Sequence, residues 1–291
     1  MDSRGNFTLE IVVTGIIIVL ILGMISFALE ASGDKLSKSV ENQNIEKIIS
    51  ESCDNLINNP GIPQNWEDFK AKRVGLAIVN GEDNVVPNSV SYYKLVELGK
   101  DYDRLVEKGL FDNNFKSSME LVPYKTSISS VKIGESSEAT NSYSVNRLVK
   151  CDFFKKYAVC DFSLEGKCNH NHNQDKYSCS YFKIFKNNLK TLDYYLLFDE
   201  SEVNSVKYSY DTTHYKSFGE GITAAKTVVN LNDDLKNTFS FNDSSSIVFV
   251  HLNKKDAKAV LVGVPKDFDK SKLSYDYFIT QPCNFIIKAW R

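Results

Sequence analysis

Nineteen consecutive residues, Ile11 to Leu29 in "IVVTGIIIVLILGMISFAL", carry no polar side chain except the small Thr14 and Ser26. At about 1.5 Å per residue such a helix is roughly 28 Å long, close to the hydrocarbon thickness of a bilayer. The run can cross a membrane. It does not read as an ordinary secretory signal, which has a basic leading region, a shorter apolar stretch and a small-residue cleavage site behind it. Here Asp2 and Arg4 cancel, the run is too long, and "FALEASG" is a poor cleavage site. One carboxylate, Glu10, stands at the entrance of the run. An acid near the middle of a membrane helix costs roughly 2.5 to 3.5 kcal/mol on insertion scales, less near the interface, and is often paired. Glu10 is therefore either an interfacial acid that suits the positive end of the helix dipole, or a functional contact.

Spacing separates these two readings. Counted from Asn6 as the first residue of a processed chain, Thr8 is third and Glu10 fifth, and Gly5 precedes the cut. This "G-N-F-T-L-E" resembles the class III signal peptide of archaeal type IV pilin-like proteins: Gly, then Gln-x-Ser-x-Glu, then an apolar helix. Asn6 stands for the usual Gln and Thr8 for the usual Ser. The resemblance implies that a prepilin-type peptidase cuts after Gly5, removing a leader of Met1 to Gly5 and leaving the apolar run on the mature protein. It also implies that Glu10 neutralises the free amine of a neighbouring subunit's first residue inside a bundle of apolar helices. Such a low-dielectric pair sets register more than it adds net stability.

Beyond Glu30 the chain turns polar, but Leu36, Val40, Ile45, Ile48, Ile49, Cys53, Leu56 and Ile57 recur at helical spacing. They form one apolar face of a helix that leaves the membrane, bends at Ser32 and Gly33, and stops at "NNPG". The stem is thus residues 6–58, with 6–29 as its spanning half. A second stretch, "NPGIPQNWEDFKAKRVGLA" followed by "YYKLVELGKDYDRLVEKGLF", resembles a segment of larger archaeal pilin-like proteins, and the two resemblances together cover about 40% of the chain. Trp66 reads as a plug between the stem and a first strand at Arg73 to Val79, with a ligand-stacking role as the alternative. Tyr92 to Leu110 reads as one or two helices with Leu95, Leu98, Tyr102, Leu105, Val106 and Leu110 inward.

From there the period shortens to that of strands. "SISSVKIG", "YSVNRLVKCDF", "YAVCDFSL", "YSCSYFKIF", "DYYLLFD", "SVKYSYD", "SIVFVHLN", "KAVLVGV" and "NFIIKAWR" are short, β-branched or aromatic, and broken by turn residues. The expected fold is α+β: a long N-terminal helix, apolar then amphipathic, packed on a mainly antiparallel sheet head of the type IV pilin kind. Residues 59–124 form a mixed first part of that head and 125–291 a β-rich second part.

Six cysteines, Cys53, Cys151, Cys160, Cys168, Cys179 and Cys283, all follow the apolar run. Their even number on the side that pilin-like translocation would place outside reads as a disulfide framework, with Cys53 to Cys283 as one expected bridge. Two alternatives remain: free thiols, or a metal held by Cys168, His170, His172 and Cys179, whose donors suit zinc. His214 and His251 read as surface or strand residues. Asn242 in "NDS" is the one plausible glycosylation site. A formal net charge of −2 gives no basic footprint, which argues against a nucleic-acid partner. No phosphate loop, dinucleotide fingerprint, zinc-protease motif or nucleophile elbow is present, so neither an enzyme nor a cofactor is supported.

The functional expectation is a pilin-like structural subunit of a type IV pilus or related surface filament, of minor or adhesive type. Its partners are other such subunits through the N-terminal helix, the peptidase, the membrane, and an unidentified surface ligand. The alternative is a permanently anchored extracellular binding protein that uses the Cys/His loop.

Overall fold

Helix α1 spans Ser3–Asn58, 56 residues without a break, or about 84 Å of helix. It passes through Ser32 and Gly33 unbroken, where the sequence suggested a bend. Proline and glycine end it. Pro60 cannot continue the ladder, and Gly61 takes φ +87°, where a Cβ would lie 2.4 Å from the Trp66 ring. The carbonyls left open around the helix end are taken by the next segment: Leu76 N–H donates to Leu56 O at 2.7 Å and Ala77 N–H to Asn59 O at 3.0 Å. That approach requires Gly75, whose Cβ would sit 2.1 Å from Asn59 O. Trp66 is fully buried and its Nε1 donates to Gly75 O at 2.8 Å. It is a plug for this corner, and its buried ring leaves no face for stacking a ligand.

The coordinates are a computed structural model, and they describe residues 3–125, 127–136, 142–164, 176–212, 221–240 and 242–290. Among the described residues fourteen strands follow α1: β1 Ala77–Val79, β2 Val85–Val90, β3 Lys116–Pro123, β4 Val131–Gly134, β5 Ser142–Cys151, β6 Ala158–Asp161, β7 Ser178–Phe185, β8 Leu192–Phe198, β9 Lys207–Asp211, β10 Ile222–Thr223, β11 Val228–Asn230, β12 Ser245–Leu252, β13 Ala259–Pro265 and β14 Gln281–Trp290. Between β2 and β3 lie α2, Tyr92–Lys100, and a π-helical turn at Asp103–Lys108. The strand expected from Arg73 begins only at Ala77, because residues 73–76 are engaged in closing the corner below the helix.

Three sheets result. The first, in the order β1-β2-β5-β14-β3-β4, is antiparallel except where β2 runs beside β5. Its face of odd-numbered positions on β14, Cys283, Phe285, Ile287 and Ala289, is fully buried. Against that sheet lies the second half of α1, through Ile45, Ile49, Cys53, Leu56 and Ile57. The other two sheets, β10-β9-β12-β7 and β11-β8-β13-β6, are wholly antiparallel and enclose a second core. Strands β8 and β13 bury both faces. Leu196, Phe198, Ala259 and Leu261 point into the second core, whereas Tyr195, Leu197, Val260 and Val262 point into the first. Burial on both sides is the reason "DYYLLF" and "AVLVGV" are continuously apolar rather than alternating. The molecule is therefore mixed α+β, with an apolar N-terminal helix and antiparallel-rich sheets. Strand β3, before residue 124, pairs with β14 from the end of the chain, so both parts of the head contribute to the first sheet.

Candidate functional site

The feature that stands out is the uncovered half of α1. Val12–Glu30 is long and apolar enough to cross a membrane, and none of it is buried against the head. Thirteen large apolar side chains between Val12 and Leu29 are 45% to 74% exposed. Leaving these uncovered in water costs on the order of 1 to 2 kcal/mol each, roughly 20 kcal/mol in all, more than a typical domain's net stability. The segment therefore requires an apolar surrounding. Gly5, Asn6, Thr8 and Glu10 all fall on the first turns of the same helix. Asn6 and Glu10 are one turn apart and so share a helix face. Their side chains lie outside the described residues.

The helix is fastened to the head where it becomes amphipathic. Arg147 on β5 grips Asp54 with two hydrogen bonds, Nε to Oδ1 at 2.7 Å and Nη2 to Oδ2 at 3.0 Å, and reaches Ser50 Oγ at 2.7 Å. The guanidinium lowers the Asp54 pKa below its ordinary value. Tyr143, further along β5, donates to Asn42 one helical stretch nearer the membrane-length segment. Below these contacts Ile45 and Ile49 are buried, while Val40 at 54% and Ile48 at 46% are exposed. Of the apolar face expected over the outer stem, Ile45, Ile49, Cys53, Leu56 and Ile57 are dry, whereas Val40 and Ile48 are not.

The described cysteines lend the disulfide expectation no support. None of the five described cysteines is joined to another by a disulfide, and the expected bridge between Cys53 and Cys283 is absent. Cys53, Cys151 and Cys283 are buried thiols of the first core. Burial raises the thiol pKa of Cys53 and of Cys283 to about 12. Each is packed as a small apolar residue, and Cys283 donates its S–H to Gln281 O at 3.6 Å. Cys160 is buried in the second core.

Of the residues expected as metal ligands, Cys168, His170 and His172 lie outside the described residues, as does His214. Cys179 is described, and its neighbours are ones the sequence reading did not connect with it. His251 Nδ1 lies 3.2 Å from Cys179 Sγ, and His251 Nε2 lies 3.5 Å from Asp211 Oδ2. His251 is a strand residue, as read, but it is fully buried rather than on the surface. Asn242 is exposed, in the turn that leads into β12.

Two further groupings of charged side chains lie on the head. A cleft of about 650 Å³ beside α2 is lined by Glu67, Tyr93, Lys94, Asp152 and Lys156, among others. Lys94, its pKa lowered by burial, spends its ammonium on Pro60 O at 2.8 Å and Ala77 O at 3.2 Å. Asp152, its pKa raised by burial, accepts the Tyr92 N–H that opens α2. Both groups hold the fold together at this point. The second grouping is Asp103, Glu107 and Glu135, whose carboxylates cluster within 4.8 Å. Lys116 already lies between two of them, 2.7 Å from Glu107 and 2.9 Å from Glu135, and its own pKa is raised by that pairing. The cluster has its cation within the chain. No protein-family model, curated protein or solved structure matches this chain.

Proposed function

We propose that this chain is a pilin-like subunit of a surface filament, held in the membrane by its N-terminal helix until assembly. The observation that carries the reading is the division of α1: an apolar, wholly uncovered half at Val12–Glu30 continuous with a half docked on the sheet. A stem of this kind is stable in a bilayer, and equally among the stems of other copies. Exchange between these two surroundings is what assembly of such a filament consists of. On this reading a prepilin-type peptidase removes Met1 to Gly5. The new amine at Asn6 then meets the Glu10 carboxylate of a neighbour, each charge offsetting the cost of burying the other. The head, with its two cores, is displayed outward as a minor or adhesive subunit.

The direct test is Glu10→Gln. It should leave leader removal and head stability unchanged and reduce recovery of the subunit in sheared filaments at least tenfold. Incorporation at the wild-type level would return Glu10 to a plain interfacial acid. A permanently anchored binding protein shares the membrane segment and is favoured by one observation, the buried Cys179 and His251 contact. It differs in keeping its stem in the lipid, so no shearable form is expected.

A further inference from the structure

We propose that a basic cleft at the end of the stem receives the acidic β1–β2 turn of a second copy of this chain, so that neighbouring heads interlock. The cleft, about 570 Å³, lies between the end of α1 and the π-helical turn. Among its walls Leu56 and Leu105 are buried apolar side chains, whereas Lys72, Arg73, Arg104 and Lys108 are exposed cations facing one acid, Asp112. Arg104 is ion-paired with Asp101. The side chains of the other three cations have no ion pair or hydrogen bond among the described residues. Three unpaired cations against one carboxylate leave an excess of two positive charges beside an apolar wall, in a chain whose net charge is −2. Such a cleft focuses its field on an anionic partner.

The matching feature lies toward the other edge of the same sheet. The first sheet has β1 and β4 as its edges. A Cβ on Gly99 would lie 2.7 Å from Ile133, and one on Gly134 2.7 Å from the Tyr102 ring, so the chain enters the π-helical turn against β4. The turn between β1 and β2, Asn80 to Asn84, is at the opposite edge, with Glu82 and Asp83 exposed at its tip. Its shape is fixed from within. Asn80 N–H donates to Asn84 O at 2.9 Å, the Asn80 Oδ1 accepts the N–H groups of Glu82 and Asn84 at 3.0 Å each, and Asp83 takes φ +60°. A tip already built loses little freedom on docking. Its two carboxylates equal the two excess cations of the cleft.

Two different patches toward opposite edges make a heterologous contact, which repeats from copy to copy in one direction. The parallel placement of copies that this needs rests on the filament reading. Exposed ion pairs are individually weak, and a turn in a cleft buries far less than the about 1,200 Å² of a stable pair. Copies whose stems share one membrane or bundle, however, meet at an effective concentration on the order of millimolar. There the contact fixes which way each head faces. A soluble anionic glycan would answer the same cations, but the tip is the partner whose charge, rigidity and position the chain itself supplies.

The test uses the full-length chain packed densely in lipid vesicles, half of the copies labelled with ¹⁵N. A carbodiimide, which joins touching carboxylates and amines without a spacer, should give mixed-isotope peptides linking Glu82 or Asp83 of one copy to Lys72 or Lys108 of another. About 1 M salt should lower their yield roughly fivefold or more. Glu82→Lys with Asp83→Lys should abolish the links, and adding Lys72→Glu and Lys108→Glu to the same chain should restore them at the reversed positions. All four side chains are exposed, so the head is expected to fold in each variant. Absence of the mixed-isotope links, or links that survive reversal of the tip alone, overturns the proposal. Protection of Lys72 and Lys108 from acetylation by dextran sulfate, with no link between copies, would assign the cleft to an anionic glycan and overturn it as well. Links in a chain that never enters filaments would uphold the contact and sink the filament reading, and filaments without the links would do the reverse.

Discussion

Arg147 is one of the side chains that tie the stem to the sheet, and its worth can be bounded. The Arg147 side chain is 33% and Asp54 49% exposed, so solvent screens the pair, and bidentate geometry brings it to about 1 kcal/mol at most. Arg147→Ala should lower stability by that amount in chemical denaturation. The effect is linked to pH through Asp54, whose carboxyl is held below its ordinary pKa by the guanidinium. A depressed acid contributes its stability in full above the unfolded value of about 3.9, and loses it as pH falls through the folded value. The gap between wild type and Arg147→Ala should therefore be full at pH 6 and vanish in strong acid; a gap that persisted there would show the loss to be packing. The thiols make a second prediction at this scale. Cys53, Cys151 and Cys283 are buried, and their thiolates are suppressed by that burial. They should resist alkylation in the native protein without prior reduction and react fully once it is unfolded. A peptide linking Cys53 to Cys283 would restore the disulfide expectation.

Two halves of one helix answer to different physics. None of residues 12–30 is buried among the described residues, whereas Ile49 is fully buried under the first sheet. Removing residues 1–32 should give a soluble head with an unchanged unfolding transition. Ile49→Ala should cost about 2 to 5 kcal/mol, and truncation past Asn58 should abolish folding. Recovery of a stable head from that last truncation would mean α1 is not part of the core. The elements differ in how plainly they are written in the chain. Nine of the strands announce themselves as short β-branched and aromatic runs broken by turn residues, and all nine form. Strand β3 does not, because Ser117 and Ser118 are among its buried residues and its last residue is Pro123. Burial of small polar residues leaves no hydrophobic period to read. The cluster of Cys179, His251 and Asp211 was hidden for another reason. Its members are 72 and 40 residues apart along the chain, and only the pairing of β12 with both β7 and β9 brings them together. The lone signal was a histidine at an outward position of an otherwise apolar strand, "SIVFVHLN".

For the whole molecule, the sheet that buries both faces is the joint. Through β8 and β13 the core beneath the stem and the distal core share one layer of backbone. Load on the stem therefore passes into the head through packed strands. A rigid head on a bare apolar stem is the form expected of a subunit that is first inserted and then assembled. That account stands or falls with the chain's mature start, which the resemblance at Gly5, Asn6, Thr8 and Glu10 implies to be Asn6. The most direct measurement is intact and N-terminal peptide mass spectrometry of the protein taken from its native membrane. A mature chain beginning at Asn6 and retaining the whole apolar run is the result expected. An intact Met1, or a cut near Ala31 that discards the run, would contradict it.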